Sequence, residues 1–444
     1  MKRRVVITGL GVATPIGIGI DPVWEGLLSK RCGLKRIAAF DASGLASGVG
    51  GEIPAFKMTD YVPKSYRKSV KVMSRDIEIA LLCAYEAVRN AGLKTKCLIE
   101  RGEAEGAPNL DSTRFGANIG AGLICADLNE LAGALATAQD PAGQFSLVRW
   151  GREGMENLTP LWLLKFLPNM LACHVTIVHD AQAPSNTITC GEASSHLAIG
   201  EAFRTIARGA ADVCICGGAE SKMNPMGVAR QQLLGRMAAR HGGDGARACR
   251  PFSADRDGIV ASEGGGLVIL EVLEHAQARG ARIYAELVGF GATANTHGWR
   301  QPDPQGQGIA NAIRAALKDG ECAPEQIGLI GAFGAGTKDH DASEAAAWRS
   351  VFGDQLSKVP ALAIKGSIGN NGAGSGAIEF AVLTMALHHK TVPPSLNTAP
   401  SDPKCGLRFV QDDPIDARVS AAVSVAYALG GGQNAALVIK RFPL

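Results

Sequence analysis

Two periodicities organise the apolar positions of the chain. Short runs that alternate or stay apolar predict strands, and apolar residues three and four apart predict helices. The stretch Arg3-Arg-Val-Val-Ile-Thr-Gly-Leu-Gly11 predicts a strand entering a glycine turn. Basic residues at helical spacing (Lys64, Arg67, Lys68, Lys71 and Arg75) continue into Ile77-Glu-Ile-Ala-Leu-Leu82, so a helical segment is expected across both. Residues 101–113 have the Gly, Pro and acidic content of an exposed loop. Thr187 to Cys190 predicts a short strand, and Leu197, Ile199, Phe203 and Ile206 fit a helix from Ala193. Ala211 to Cys216 predicts a strand with Val213 and Ile215 on one face. Leu267 to Leu273 reads as a buried strand, and Glu274 to Gly280 as a helix stopped by its glycine. Ile283-Tyr-Ala-Glu-Leu-Val-Gly-Phe-Gly291 then opens a second set of α/β elements.

At 444 residues the chain is long enough for two packed domains or one large duplicated one. The 55 glycines and 5% aromatics suit a tightly turned α/β protein. A formal charge of +3 gives no argument for nucleic acid. The apolar runs are interrupted by Lys365, Glu379 or glycine clusters, so no membrane span is expected. The 11 cysteines are scattered with no C-x-x-C pair, which in a chain lacking a signal peptide predicts reduced thiols and a cytoplasmic location. Gly9-x-Gly11 is a turn and not a dinucleotide loop, because Thr14 stands where the third glycine would be. No cofactor and no metal site is predicted.

The chemistry concentrates where the strand ending at Cys190 meets the following helix. A tight Cys190-Gly191-Glu192 bend presents its residues at a helix N-terminus, where unpaired N–H groups and the dipole favour negative charge. Enzymes seat nucleophiles at such bends, and two registers are open, one with Cys190 and one with Glu192 at the tip.

The surrounding motifs resemble those of the β-ketoacyl-acyl carrier protein synthases of the thiolase superfamily, the condensing enzymes of fatty-acid and polyketide synthesis. The resemblance is carried by the opening strand, Phe40-Asp41, Gly217-Gly-Ala-Glu220, Arg250-Pro-Phe-Ser-Ala-Asp-Arg-Asp-Gly-Ile-Val260 and Glu263-Gly-Gly-Gly266. It covers almost the whole chain and is weakest at about 101–165. It implies an α/β, thiolase-like fold of two similar five-layered α-β-α-β-α halves, 1–275 and 276–444. The family nucleophile stands eight residues before the glycine of Ile-Gly-x-Ala, here Ile199-Gly-Glu-Ala202, and this count selects Glu192. Glu192-Ala-Ser-Ser195 then differs from the family's Cys-Ala-Ser-Ser in one letter.

The resemblance implies two further catalytic positions, normally histidines that hydrogen-bond the thioester carbonyl. In Phe333-Gly-Ala-Gly-Thr337, held in register by Asp341 and Glu344, the first is Phe333, and a threonine position is Ala335 beside the retained Thr337. After Lys365-Gly-Ser-Ile-Gly369 the second is Asn370. The pantetheine-contacting threonine position is Trp299, and the gate phenylalanine position in Leu429–Asn434 is Gly430. Losing one oxyanion donor costs on the order of a hundredfold in rate, and a carboxylate nucleophile would have to pass through a reactive anhydride.

Three functions follow. The leading one is a non-condensing partner similar to a chain-length factor, dimerising with an active ketosynthase. The second is an active synthase or acyltransferase using Cys190 or Glu192. The third is a homodimeric acyl- or carrier-protein-binding module. The family dimerises through the strand before the elbow, so 186–190 is expected to pair with its mate, and the basic 64–75 segment is a candidate face for the acyl carrier protein. Plainer expectations stand beside these: Glu192 ion-paired with Lys365, Lys365 tied to Glu344, His196 buried and satisfied or facing Glu192, Cys190 and Cys216 packed in strands, and His340 in a loop.

Overall fold

A computed structural model describes residues 3–241, 243–430 and 432–443. In the first half β1 (Val5–Thr14) is followed by α1 (Arg75–Ala91), β2 (Phe115–Ala121), α2 (Met170–His179), β3 (Asn186–Ile188), α3 (Ser194–Ala207), β4 (Val213–Ser221) and β5 (Glu263–Val272). The second half runs β6 (Ala285–Ala294), α4 (Gln307–Asp319), β7 (Ile327–Gly331), α5 (Lys338–Phe352), β8 (Pro360–Leu362), α6 (Ser375–His389), β9 (Ala421–Tyr427) and β10 (Gln433–Lys440).

The strand order is β8-β7-β9-β10-β6-β1-β5-β4-β2-β3. Counted outward from the seam, each half repeats one order: first strand, fifth, fourth, second, third. β1 and β6 form that seam, antiparallel with Val5 opposite Leu287 and Ile7 opposite Ala285. The outer pairings β2–β3, β2–β4, β7–β8 and β7–β9 are parallel, and each half closes with antiparallel pairs. Side-chain alternation sorts the layers. Val213, Ile215, Leu267 and Ile269 face outward onto α1 and α2. Cys214, Cys216, Val268 and Leu270 face inward onto α3 and α6, which share one core with strands of both halves. On the far side α4 and α5 cover β7, β9 and β10. The layers read α, β, α, β, α, as the sequence led us to expect for a thiolase-like duplicated fold.

Three element readings change. Gly9 and Gly11 form no turn but lie within β1, where a Cβ on either would strike the backbone of α1. The basic segment and the helix after it are separate: Lys64–Val72 is a 3₁₀ stretch, Met73 is extended, and Ser74 starts α1 from a β conformation. Arg75 therefore turns inward to Glu263 (2.8 and 3.0 Å) and stacks over Phe56, leaving Lys64, Arg67, Lys68 and Lys71 exposed. The strand before the elbow stops at Ile188, with Cys190 in the turn. Among the described residues no helix is long and apolar enough to cross a membrane.

Candidate functional site

The elbow forms because Gly191 takes φ +56°, a left-handed conformation open to glycine at little steric cost. It lets the chain turn from β3 through a single 3₁₀ turn, Gly191–Ala193, into α3. Ser194 locks the turn, its Oγ accepting from the Cys190 amide (2.7 Å) and donating to the Gly191 carbonyl (2.6 Å). Glu192 is thereby buried, only 6% exposed, and its Oε2 accepts a hydrogen bond from the Leu429 amide at 3.1 Å. Its charge partner is Lys222, whose Nζ lies 4.0 Å from Glu192 Oε1 and 2.9 Å from Glu220 Oε1. Burial alone would raise the Glu192 carboxyl, but the Lys222 charge and the Leu429 amide outweigh it and hold it below its ordinary value.

The expected Glu192–Lys365 pair is absent, since Lys365 lies deeper and is spoken for. Its Nζ donates to the Phe333 carbonyl (2.6 Å), to the carboxylate of Glu379, and sits 3.2 Å from the centre of the Phe333 ring. Burial lifts Glu379 to about 8 even with this lysine alongside. Glu344, expected on Lys365, instead caps the Phe333 loop: it accepts from the amides of Phe333 (2.8 Å) and Gly334 (2.9 Å), from Trp348 Nε1 (3.0 Å) and from the Tyr427 hydroxyl (3.0 Å). Phe333 is fully buried, its ring 4.7 Å from that of Tyr427. Ala335 is also buried, and Thr337 N-caps α5, accepting from the His340 amide and bonding His340 Nδ1 at 2.8 Å.

Asn370 is fully buried. Its Oδ1 accepts from the Gly372 amide (2.9 Å), while Nδ2 has no partner. A side chain at Gly372 would collide with Glu220 and with Lys222 Nζ, so the Asn370 loop closes directly on the lysine that faces Glu192. The three positions that the resemblance singles out border one region: Glu192 meets the Asn370 loop through Lys222, and Phe333 packs on Tyr427, two residues before the Leu429 amide that binds Glu192.

His196 does not face Glu192. It is buried against Phe380 with Nε2 2.9 Å from Ser424 Oγ, but its Nδ1 is without a partner, and burial drives it down to about 3. Cys216 packs inside β4 as expected. Cys190 is half-exposed in the turn instead of packed in a strand, and burial pushes its thiol up, away from a reactive thiolate. His340 belongs to the first turn of α5 and not to a loop, with Nε2 3.1 Å from the Leu429 carbonyl.

Two openings reach this centre. Beside Trp299, which is 59% exposed with Arg300 stacked on it, the space bounded by Asn295, His340, Tyr427 and Leu429 is about 20 Å³. That is room for about one water. On the elbow side a cavity of about 520 Å³ is lined by Leu123, Cys190, Glu192, Glu220, Lys222, Arg230, Gln231, Arg236 and Gly430. A side chain at Gly430 would meet Arg236 Nη2 at 2.7 Å, and that atom donates to the Leu429 carbonyl at 2.9 Å. Sequence reasoning missed Lys222, Arg230 and Arg236. The available signal was a lysine two places after Glu220 at the end of a buried strand, where an unpaired charge would be costly. Among the described residues no cluster of metal-ligating side chains occurs.

The family model described as β-ketoacyl synthase, N-terminal domain, matches residues 2–276, and the C-terminal domain model matches residues 284–399. The 3-oxoacyl-[acyl-carrier-protein] synthase 2 of Synechocystis sp. is 34% identical over 99% of both chains. The synthase of the same description from Staphylococcus aureus is 31% identical, again over 99% of both. Among solved structures, the ishigamide ketosynthase/chain length factor is 28% identical with a TM-score of 0.83, and a β-ketoacyl synthase from Burkholderia phymatum is 26% identical with a TM-score of 0.85. Each covers 100% of both chains.

Proposed function

The chain belongs to the β-ketoacyl synthase family, and within it we propose that the protein is a non-condensing partner subunit of fatty-acid or polyketide synthesis, similar to a chain-length factor. The observation that carries this reading is Phe333. Its ring fills the interior between Tyr427 and Lys365, so the position offers no hydrogen-bond donor to a developing oxyanion. Glu192 adds to it, because a carboxylate matched by Lys222 and the Leu429 amide is a poor nucleophile and a poor base. Cys190 has its thiol shifted upward, and the Trp299 entrance is nearly closed. The second and third readings, an active acyltransferase or a homodimeric acyl-binding module, lack an observation that favours them.

The proposed partner face is the edge of the sheet at β3. Asn186 is exposed there, and Leu123, Leu161 and Leu163 are 59–65% exposed in the segment that leads to it. An open edge beside exposed leucines suits a second chain that extends the sheet. One structural neighbour is a ketosynthase/chain length factor, and another is a type II PKS acyl-carrier protein in complex with its ketosynthase. For this chain the exposed Lys64, Arg67, Lys68 and Lys71 are the face offered to an acidic carrier protein.

The test is release of labelled carbon dioxide from malonyl-carrier protein by the chain alone and when co-expressed with a ketosynthase that has an intact Cys-His-His set. Only background release is expected from the chain alone, together with a stable complex in the co-expression. Release by the isolated chain at about one per second, the low end of ordinary turnover, would overturn the proposal.

A further inference from the structure

The cavity on the elbow side, about 520 Å³, sets Lys222, Arg230 and Arg236 against Glu192 and Glu220 on walls that also carry Leu123, Pro168, Leu234 and Ala428. Both carboxylates are already matched. Glu220 holds Lys222 (2.9 Å) and the Ala373 amide (2.7 Å), and Glu192 holds the Leu429 amide (3.1 Å) with Lys222 at 4.0 Å. Three cations therefore face two carboxylates, which leaves one positive charge in excess. Arg236 donates to a neutral carbonyl, Leu429, and Arg230 reaches Glu220 only at 3.9 Å.

A second observation lies on the same wall. Gln231 lines the cavity, is 4% exposed, and its Oε1 has no hydrogen-bond partner. A buried amide oxygen without a partner is costly unless a ligand or water satisfies it. Oxygen and nitrogen of the amide exchange places by a simple flip, so Gln231 can either donate or accept.

We propose that this cavity is a binding site for a small polar carboxylate, held by Arg236 and Arg230 with Gln231 hydrogen-bonding its neighbouring polar group. Planar guanidinium forks match a carboxylate, and the volume fits a small-molecule site. The inference goes beyond the partner-subunit reading; because Leu123 of the proposed partner face also lines the cavity, it is tested on the isolated chain.

The experiment is calorimetric titration of the full-length protein with succinate, its neutral analogue 1,4-butanediol, inorganic phosphate, and octanoyl-N-acetylcysteamine as an acyl mimic. Succinate is expected to bind, more weakly as salt rises, while butanediol and the acyl mimic do not. Arg236→Gln should weaken succinate at least tenfold. Because Arg236 also anchors Leu429, Gln231→Leu, which touches no backbone contact of that segment, should weaken it severalfold with an unchanged melting temperature. Binding of the acyl mimic without succinate, binding of phosphate in place of succinate, or succinate binding unaffected by both substitutions would each overturn the assignment.

Discussion

Removing the positive charge between the two buried carboxylates is the sharpest test of how this centre is held. Lys222 is 3% exposed, 2.9 Å from Glu220 and 4.0 Å from Glu192. In Lys222→Met both carboxylates keep their burial and lose the shared cation. Breaking a buried pair from one side costs about 3–5 kcal/mol. Glu192→Gln is a different perturbation. It gives up an attraction of about 4 kcal/mol at 4 Å for an effective dielectric near 20, but it also removes the several kcal/mol of desolvation that a buried carboxylate carries. The amide oxygen still accepts from Leu429, and Lys222 still has Glu220, so a net change within about 1 kcal/mol is expected. The assay is urea unfolding at pH 7 with a common slope for all variants. Adding Glu192→Gln to Lys222→Met should recover part of the loss, a coupling of about 0.5–3 kcal/mol. The acid limb gives an independent sign check. Glu192 has a folded value held below its ordinary 4.5, so its contribution is present above 4.5 and is lost as pH falls through the lower folded value. Glu192→Gln should therefore flatten the stability curve below pH 4.5 relative to the unmodified protein. If Glu192→Gln costs as much as Lys222→Met, the carboxylate is required in its charged form and the reasoning fails.

Glu192→Cys should yield a thiol that iodoacetamide labels, read by mass spectrometry, without carbon dioxide release, since Phe333 still supplies no donor. Phe333→Ala should destabilise by about 3–5 kcal/mol in the same urea assay, as expected for deleting a fully buried ring. Buried His174 and His179, driven down to about 4, and His196, driven to about 3, bind protons only on unfolding, so stability should start to fall as pH drops below 6.5, before the Glu192 window opens. Light scattering at micromolar concentration should give a dimer, alone or with its co-expressed ketosynthase. Leu161→Asp with Leu163→Asp should weaken it, and a monomer in both preparations would remove the β3 edge from consideration.

Local period and motif spacing made the framework legible. The strand–turn–helix at Cys190-Gly191-Glu192 followed from where the apolar period changes, and the facing of Val213 and Ile215 followed from strand alternation. What stayed hidden was the pairing of charges distant in sequence. The family motifs group Lys365 with Glu192 and Glu344, yet its carboxylate partner is Glu379, one turn inside α6. His340 looked like a loop residue because the glycines before it suggest irregular backbone, whereas Thr337 caps a helix one residue later. The inward turn of Arg75 depends on Glu263, nearly 190 positions away, which no local pattern carries.

Under the partner-subunit proposal, these pairings bear on whether introducing the family's Cys-His-His set would give condensation. Placing cysteine at 192 and histidines at 333 and 370 would supply the reacting groups, but the residues now at these positions belong to a self-consistent arrangement. With Glu192 gone, Lys222 remains next to the Gly372 loop and faces the space an acyl chain would enter. The Leu429 segment would still be held from both sides by Arg236 (2.9 Å) and His340 (3.1 Å). Under the partner-subunit proposal the obstacle to condensation is therefore distributed over further residues, with Lys222 and Arg236 foremost, and a triple substitution that leaves them in place should give a reactive thiol without giving turnover.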